Sequence, residues 1–376
     1  IRTSQDKDLP KFNDLFSLQA NMSNPYSGRS VAAIDHNGDG KHGFYIVNYD
    51  APSLFYHFNT KLKKIEEISQ ELGIRQFSGG RSILAQYILN DKALDIFIGN
   101  ENGANTFFTK NDGKSPKQAT QYQNKATELD FYDEFFNARG IAIADFNGNG
   151  LADIVLGNWF GMNCIFMQQE AGVFENLPPA IFREPMPIRN VIVADFDNDG
   201  FEEIFVNNFD ESNRMIRSLG NNEWEELDIG VLASEKYFCT GASIGDLTGN
   251  GFLDIFISTG EEKKQENQLF LGVDNKNYWL RIQPITQKGF PALGAKVRLI
   301  CRNAKNQTKF ICSGSGYLCQ MEPVAHFGFG AKFPDIEKIE ITWPGNGVNK
   351  PPTRIIDGKN IQPNLFIKIP HPKTKV

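Results

Sequence analysis

One pattern of hydrophobic and polar positions recurs along the chain: an apolar strand, a loop rich in Asp, Asn and Gly, and a second apolar strand. In its clearest copy, ADFNGNGLADIVLGN at 144–158, the apolar run 154–156 follows the polar loop directly. Related stretches begin at four other positions, namely Ala33, Gln86, Ala194 and Gly245. The leading aspartates of the last three well-formed copies are about 50 residues apart, which indicates a structural repeat.

The repeat predicts short β-strands. Each copy adds a polar turn and a third strand, for example at 106–109, 163–167 and 268–271. Units of roughly 50 residues built in this way fit the blades of a β-propeller. The strands alternate weakly and are rich in Ile, Val and Phe, as expected where neighbouring blades cover both faces. We therefore predict an all-β fold with a propeller of five repeats over 1–272.

A second, smaller β domain is predicted over 278–376, after a linker at 272–277. Its strands are expected near 278–285, 295–301, 309–314, 338–343 and 364–369. Helix is expected to be scarce. The stretch KLKKIEEISQELGI at 61–74 has a helical composition, and we assign it to an insertion or loop of a blade.

The polar loops carry the residues that a calcium ion needs. Calcium takes six to eight oxygen ligands at about 2.3–2.6 Å, and a short loop can supply most of them from alternate positions. Here the side chains at loop positions 1, 3, 5 and 9 would bind together with the backbone carbonyl of position 7, and glycine at position 6 permits the sharp turn. Three complete copies predict these ligands: Asp145, Asn147, Asn149, Leu151 and Asp153; Asp195, Asp197, Asp199, Phe201 and Glu203; Asp246, Thr248, Asn250, Phe252 and Asp254.

The other two copies are weaker candidates. The first supplies Asp35, Asn37 and Asp39 but has Gly43 at position 9. The second has no carboxylate or amide at its first two oxygen positions and is expected to bind no metal. Bare turns are the alternative throughout, because Asn-Gly and Asp-Gly pairs form turns without a metal. The oxygen ligands disfavour zinc and copper, and the missing Glu at position 12 argues against an EF-hand.

Five cysteines are too few for a disulfide scaffold, and their spacing matches no zinc motif. Cys301 and Cys312 flank a polar turn, so a hairpin at this place would let them face each other and form a disulfide. The alternative is that both are small buried apolar residues. Two N-glycosylation sequons, at Asn21 and Asn306, give weak support for secretion, and the second would lie at the exposed tip of this hairpin.

Composition narrows the class of protein further. The chain has 376 residues, of which 40% are hydrophobic and 22% charged, as in an ordinary globular protein. It contains no apolar run of 18 residues, so no transmembrane helix is predicted. The net charge of −6 disfavours binding to nucleic acid. No signal peptide is visible in this sequence.

Several motifs together resemble a known family. The stretches SGRSVAAID, NENGANTFF, ARGIAIADFNGNGLADIVLGNW and IRNVIVADFDNDGFEEIF resemble FG-GAP/VCBS blades, and NYWLRIQPI, GAKVRLI, GSGYLCQMEPVAHFGFG and IEITWPGNG resemble an ASPIC/UnbV domain. Their combination closely resembles the cartilage acidic protein family of secreted glycoproteins. The resemblance implies an extracellular protein. Animal members of that family have seven blades, so five repeats predict either a shorter propeller or further blades upstream of Ile1.

Two functions are compatible with the sequence. The one we favour is a secreted calcium-binding adhesion or recognition glycoprotein that binds an extracellular protein or glycan through its propeller loops. Asn100, Asn102, Asn158 and Trp159 follow second strands and could form such a surface, or could be turn formers beside one packed Trp. The alternative is a propeller enzyme, such as a glycosidase or lyase, with its active site in the central channel. The five His include no metal-binding pair and no Gly-Xaa-Ser-Xaa-Gly element is present, so catalysis is not expected.

Overall fold

The structure, a computed structural model, describes residues 24–89, 93–110, 121–131, 137–220, 222–234, 236–345 and 350–374. Strand accounts for 50% of the residues and helix for 4%, which confirms the all-β prediction. The helices in the described ranges are single turns, at Ser69–Leu72, Ala180–Arg183 and Val231–Ser234, with a 3-10 turn at Gly358–Asn360. None of them is long and apolar enough to cross a membrane.

Five antiparallel blades follow one another in the order of the sequence repeats. In each blade the first strand lies innermost and the later strands pair outward. Blades 1 and 2 also pair with each other through one strand of each. The blade strands are, in order, β1 Gly28–Ile34, β2 Gly43–Pro52, β3 Leu54–Asn59 and β4 Lys64–Glu67; β5 Phe77–Gln86, β6 Asp95–Asn100, β7 Thr106–Lys110 and β8 Tyr122–Asn124; β9 Ala138–Ala144, β10 Asp153–Asn158, β11 Cys164–Glu170 and β12 Val173–Asn176; β13 Ile188–Ala194, β14 Glu203–Asn208, β15 Arg214–Gly220 and β16 Glu223–Glu226; β17 Cys239–Gly245, β18 Asp254–Thr259 and β19 Gln268–Phe270.

Neighbouring blades share their cores, which explains why the strands lack a polar face. In β10, Ile154 and Leu156 pack between blades 2 and 3, whereas Val155 packs between blades 3 and 4. All three side chains are fully buried. A β-strand points successive side chains to opposite faces, so a strand covered on both sides must be apolar at every position.

The phenylalanines fill these spaces between blades, as predicted. The ring of Phe131 lies 5.4 Å from the rings of Phe97 and Phe107 and 4.9 Å from that of Phe166. The interplanar angles of these three contacts lie between 56° and 65°, close to the edge-to-face geometry that aromatic pairs prefer. Phe131 itself is completely buried between blades 2 and 3.

The C-terminal domain is a small β-sandwich. One sheet has the order β24-β20-β27 and the other the order β22-β21-β25-β26. Side chains from both sheets, with Trp343 beside them, share one apolar core. The strands of this part of the chain are β20 Trp279–Ile285, β21 Lys296–Cys301, β22 Gln307–Phe310, β23 Ser313–Gly314, β24 Ala325–Gly328, β25 Ile336–Thr342, β26 Thr353–Asp357 and β27 Leu365–Pro370.

The segment 312–324, which we call the channel segment, leaves the sandwich and enters the centre of the propeller. Its β23 pairs with β5 of blade 2, and the hydroxyl of Ser313 donates to the carbonyl of Ala33 in blade 1 at 2.6 Å. The backbone N–H of Gly316 donates to Ile141 of blade 3 at 2.6 Å. Further along, the segment contacts blade 4 through Cys319 and blade 5 through Glu322. One stretch of the C-terminal domain therefore contacts the innermost strand of all five blades.

Two sequence expectations are corrected by this fold. The helical composition of 61–74 predicts an insertion or loop of a blade, but this stretch contains β4, the outer strand of blade 1, and one helical turn. The predicted disulfide is absent as well, since all five cysteines are free. In the hairpin of β21 and β22, Leu299 faces Gln307, so Cys301 lies at the turn and Cys312 at the opposite end. At about 3.3 Å per residue, the two thiols are on the order of 20 Å apart.

Candidate metal centre

The four polar loops that begin with Asp share one hydrogen-bonding pattern. The leading carboxylate accepts the backbone N–H of loop position 6 at 2.8–3.0 Å in all of them, and these residues are Asp35, Asp145, Asp195 and Asp246. Glycine at position 6 has a φ between 80° and 95° in each loop, a region that other L-residues rarely adopt. The sharp turn therefore draws the leading carboxylate back over its own loop.

In the Asp145, Asp195 and Asp246 loops, the acid at position 9 ties the loop to its blade, a role that the sequence did not reveal. Asp153 accepts backbone N–H bonds from Phe146 at 2.9 Å and from Gln168 at 2.7 Å. Asp254 accepts equivalent bonds at 2.7 and 2.8 Å. Glu203 accepts only the first of them, at 2.8 Å. Its other oxygen, Oε1, is buried without a hydrogen-bond partner among the described residues.

This free oxygen belongs to a group of three carboxylates, which we call the Asp195 cluster. One oxygen from each of Asp195, Asp197 and Glu203 lies within 4.8 Å of the others. Asp195 is 1% exposed and Glu203 is fully buried. Within the described ranges, no other group of three or more His, Cys, Asp or Glu side chains has this spacing. The structure thus singles out the loop that carries the most acidic side chains.

The electrostatics of the Asp195 cluster are unfavourable without a cation. Burial raises the pKa of Glu203 and of Asp195 well above the usual carboxyl range, and their mutual repulsion raises that of Glu203 further. Arg217 neutralises the rim of the loop, since its Nη1 lies 3.0 Å from Asp197 and 3.1 Å from Asp199. No described ion pair reaches Asp195 or Glu203. Lys309, which forms an ion pair with Glu202, lowers the pKa of Asp195 in part. Burial and repulsion still leave the pKa values of both acids raised, so the two acids either hold protons or share a further, bound cation.

Backbone N–H groups of the same loop hold the carboxylates of positions 1 and 5 in place. The N–H of Phe201, at position 7, donates to Asp199 at 2.8 Å, and the N–H of Asp199 donates to Asp195 at 3.0 Å. The C-terminal domain completes the loop from outside, because the N–H of Gly328 donates to Asp195 at 3.0 Å. The local sequence of the loop does not reveal this hydrogen bond, because Gly328 lies far along the chain.

The Asp145 loop is a second, weaker candidate. Burial raises the pKa of Asp145, and it raises that of Asp153 to about 7. Oδ1 of Asp145 is buried with no partner among the described residues. Oδ1 of Asn147 accepts the N–H of Asn149 at 3.0 Å, and Oδ1 of Asn149 accepts that of Leu151 at 2.8 Å. This loop offers two carboxylates, against four in the Asp195 loop.

An arginine of the C-terminal domain bonds to the third predicted loop. Nη1 of Arg281 lies 2.7 Å from Oδ2 of Asp246, and both side chains are almost completely buried. Both oxygens of Asp246 and both of Asp254 accept hydrogen bonds. Of the remaining predicted positions, Thr248 and Asn250 are exposed and the side chain of Phe252 is buried. A guanidinium therefore already supplies positive charge at this loop.

The Asp35 loop has glycine instead of an acid at position 9. Asn37 and Asp39 are exposed, and Asp39 pairs with Lys41 at 3.2 Å. A Cβ on Gly43 would lie 2.4 Å from the ring of Phe55, so the packing of blade 1 demands glycine here. Position 9 of this loop therefore offers no side-chain oxygen.

The degenerate loop of blade 2 keeps the position-9 acid but has Tyr87 and Leu89 at positions 1 and 3. Asp95 accepts N–H bonds from Ile88 at 3.1 Å and from Leu89 at 2.8 Å. Tyr87, at position 1, is buried and donates its hydroxyl proton to the carbonyl of Trp343 at 2.9 Å. This loop binds the C-terminal domain where the others have an aspartate.

We expect Asp95→Asn to stabilise the protein increasingly as the pH rises. Burial raises the pKa of Asp95 to about 7. A raised carboxyl pKa means that the folded state holds the proton more tightly, so this contribution is present below about pH 4 and is lost as the pH rises through 7. The gain in the free energy of unfolding should reach roughly 2–4 kcal/mol at pH 8. Thermal melts of both proteins at pH 5 and pH 8 test this, and an equal difference at the two values would contradict it.

Of the two predicted glycosylation sites, the structure describes only the second. Asn21 lies outside the described residues. Asn306 is half-buried, and its Oδ1 accepts the N–H of Cys301 at 2.9 Å. The next residue toward the turn, Lys305, donates to the carbonyl of Phe146 in the Asp145 loop at 3.0 Å. The tip at 302–305 is exposed as predicted, but Lys305 contacts the propeller and Asn306 itself is half-buried.

Comparison with known sequences agrees with this architecture. The family model described as ASPIC and UnbV matches residues 286–375, and the model of the FG-GAP-like repeat matches 145–206 and 195–257. The chain is therefore an FG-GAP-repeat propeller that carries an ASPIC/UnbV domain. Cartilage acidic protein 1 of Xenopus tropicalis is 37% identical to it, over 99% of this chain and 59% of the relative. The chain belongs to the cartilage acidic protein family.

Other comparisons set the scale of this relationship. Cartilage acidic protein 1 of Homo sapiens is 34% identical, over 89% of this chain and 53% of the relative. The chain thus spans little more than half the length of these relatives. Among solved structures, BBS1N in complex with ARL6DN aligns over 88% of this chain and 91% of that one, with a TM-score of 0.38 and 10% identity.

Proposed function

We propose that the chain is a calcium-stabilised extracellular recognition protein. The Asp195 cluster carries the proposal, because three carboxylates within 4.8 Å of one another include a buried oxygen with no described partner. Hard oxygen ligands of this kind suit calcium, which tolerates irregular geometry and bidentate carboxylates. A bound calcium ion would supply the positive charge that Asp195 and Glu203 lack.

Calcium at this loop would also hold the two domains together. Asp195 accepts the N–H of Gly328, and the carbonyl of Asp197 accepts the side-chain amide of Asn277 at 2.8 Å. Nearby, Nε2 of His326 lies 2.6 Å from the side-chain oxygen of Asn198, so the imidazole is a packed core residue. An ion that fixes the loop therefore also fixes the surface on which the C-terminal domain sits.

The filled central channel favours a recognition protein over a propeller enzyme. A propeller enzyme would have its catalytic groups converge in the channel, where the channel segment lies against all five inner strands. The cavity left beside that segment measures about 110 Å³, enough for a few water molecules. The names of the relatives point to cartilage, and we extend an extracellular matrix location to this chain on that basis.

Calorimetric titration with calcium chloride tests the first half of the proposal. We expect at least one site on the intact chain, with the tightest site lost in Asp195→Ala and retained in Asp246→Ala. Magnesium should bind more weakly, because it keeps its own waters. Circular dichroism must show that both variants are folded. If the intact chain takes up no calcium, or if only the Asp246 variant loses it, the assignment to the Asp195 cluster is wrong.

Secretion is the second half of the proposal. We expect the complete coding sequence, expressed in cultured animal cells with a C-terminal tag, to release the protein into the medium. Glycosidase treatment should lower its apparent mass if a sequon is used, and Asn21→Gln should remove most of that shift because Asn306 is half-buried. Tagged protein that stays in the cytosol without glycans would contradict this expectation.

A further inference from the structure

Four of the five blades place an arginine at one repeated position. Arg29, Arg81, Arg139 and Arg189 each lie six residues before position 1 of the polar loop, and the fifth blade has Thr240 there. Three of them are the second residue of an innermost strand, and Arg81 lies in the middle of the longer β5, whereas the polar loops follow the strand ends. With inner strands of seven residues, such as β9 and β13, at about 3.3 Å per residue, the two levels are about 20 Å apart. The arginines therefore surround the mouth of the channel that faces away from the C-terminal domain.

In blades 1 to 3, the residue fourteen positions after loop position 1 links neighbouring arginines, and these residues are Tyr49, Glu101 and Trp159. The guanidinium of Arg29 lies 5.3 Å from the ring of Tyr49, and that of Arg81 lies 4.8 Å from the same ring. Both Arg81 and Arg139 form ion pairs with Glu101. We call these four arginines, with the side chains between them, the arginine arc.

The arc continues through aromatic rings in the next blades. Arg139 lies 5.6 Å and Arg189 lies 4.4 Å from the ring of Trp159. Arg189 is held from its other side by Phe209, at 4.7 Å. Guanidinium groups stacked in this way are fixed in orientation. Arg81, Arg139 and Arg189 donate N–H groups to described acceptors. The side chain of Arg29 has no described hydrogen bond or ion pair, so its N–H groups are the ones that a planar anion would bind.

The arc is short of negative charge. Its described ion pairs supply two carboxylates, Glu101 and Glu261, to four guanidiniums. Nε of Arg29, of Arg139 and of Arg189 is buried and has no described hydrogen-bond partner. A buried donor without a partner is energetically unfavourable, so the arc lacks acceptors as well as negative charge.

Apolar side chains surround the arc. Phe77 is 67% exposed, Phe160 is 59% exposed and Met162 is 63% exposed. The tip of the channel segment emerges here too, since the hydroxyl of Tyr317 lies 3.2 Å from Arg81 and Leu318 is 54% exposed. A mixture of arginine, aromatic rings and exposed apolar groups is the composition of an interface hot spot.

We propose that this face binds a protein partner that inserts an aspartate or glutamate side chain, flanked by apolar residues, into the arginine arc. The inference rests on the recognition role proposed above and names its surface and the chemistry of its ligand. A carboxylate matches the planar N–H edge of arginine in a bidentate pair. The flanking apolar residues would cover the exposed rings.

A sulfated glycan fits the same face less well. The loops beside the arc carry exposed acids, including Asp50, Asp210 and Glu211, which would repel a polyanion along its length. A glycan also has little apolar surface to bury against Phe77 and Phe160. One carboxylate among apolar neighbours satisfies both the positive centre and the apolar rim.

A peptide library displayed on phage and selected on the intact chain in calcium tests the proposal. We expect the selected peptides to share an Asp or Glu flanked by apolar residues. Replacement of that acid by its amide in the synthetic peptide should weaken binding at least tenfold, as measured by fluorescence polarisation. Arg29→Gln should weaken the acidic peptide to a similar extent and leave the amide peptide unchanged. This variant removes a half-buried side chain with one described ring contact, so we expect it to remain folded.

Matched measurements decide the alternatives. Arg302→Gln, which removes an exposed guanidinium from the C-terminal domain, should bind the peptides as the parent does. Peptides without a shared acid, or equal binding to Arg29→Gln, would overturn the proposal. So would a heparin oligosaccharide that loses affinity in Arg29→Gln while no acidic peptide does. Because calcium uptake is measured separately at the opposite face, failure here leaves the calcium assignment standing.

Discussion

Gly314→Ala is expected to lower the free energy of unfolding by at least about 3 kcal/mol, since it combines backbone strain with overpacking. Gly314 lies in the channel segment with a φ of 73°, and a Cβ there would come within 2.3 Å of the carbonyl oxygen of Ile83. The backbone of Gly314 pairs with that of blade 2 in one sheet. The added Cβ and the carbonyl oxygen therefore cannot move apart unless the channel segment separates from blade 2. Urea denaturation measures the effect.

Gly289→Ala is the matched control for this change. Gly289 has a φ of 86°, and a Cβ there meets no atom within 4 Å. It therefore suffers the same kind of backbone strain, on the order of 1 kcal/mol, without the clash. Equal losses in the two variants would mean that the channel segment is not held against blade 2.

Removal of calcium is expected to lower the melting temperature by roughly 5–10 °C. A ligand at a hundred times its dissociation constant stabilises the folded state by about 2.7 kcal/mol, and each kcal/mol corresponds to roughly 2–4 °C in a domain of this size. Melts in 1 mM calcium and in excess chelator measure the shift.

Glu203→Gln should separate repulsion from binding. The amide oxygen can keep the hydrogen bond from Phe196, while the change removes the charge at the oxygen without a partner. We expect this variant to melt higher than the parent in chelator and to gain little from calcium. Glu66→Gln, an acid on blade 1 with an ion pair to Lys64, should respond to calcium as the parent does. If chelator shifts neither the parent nor the control, the loops are bare turns.

The sequence predicted the repeated elements because their signals are local. Periodic Asp, Asn and Gly residues mark each loop, and the turn at position 6 follows from glycine alone. The inequality of the loops could be predicted only in part. The number of acids in each loop predicted that the Asp195 loop is the strongest candidate site. Arg281, which bonds to Asp246, comes from another domain, and nothing in the sequence near Asp246 predicts this contact.

The errors have a similar physical origin. Cys301 and Cys312 flank a turn in the sequence, but strand register decides which residues face each other, and a shift of a few residues separates the thiols. The stretch 61–74 has helix-forming residues, yet the free edge of β3 recruits part of it as a strand. Propensity gives way to tertiary pairing at such an edge.

The channel segment dictates when the protein can finish folding. Ser313 reaches a partner 280 residues earlier in the chain, and Tyr317 reaches one 236 residues earlier. Contacts at such sequence separation slow folding, because a large loop must close before they form. During synthesis the blades emerge from the ribosome well before the strand that fills their centre. The central channel of the nascent propeller therefore stays unfilled until residues 312–324 have been synthesised. Truncated transcripts that end before residue 312 should yield chains that depend on chaperones and are degraded.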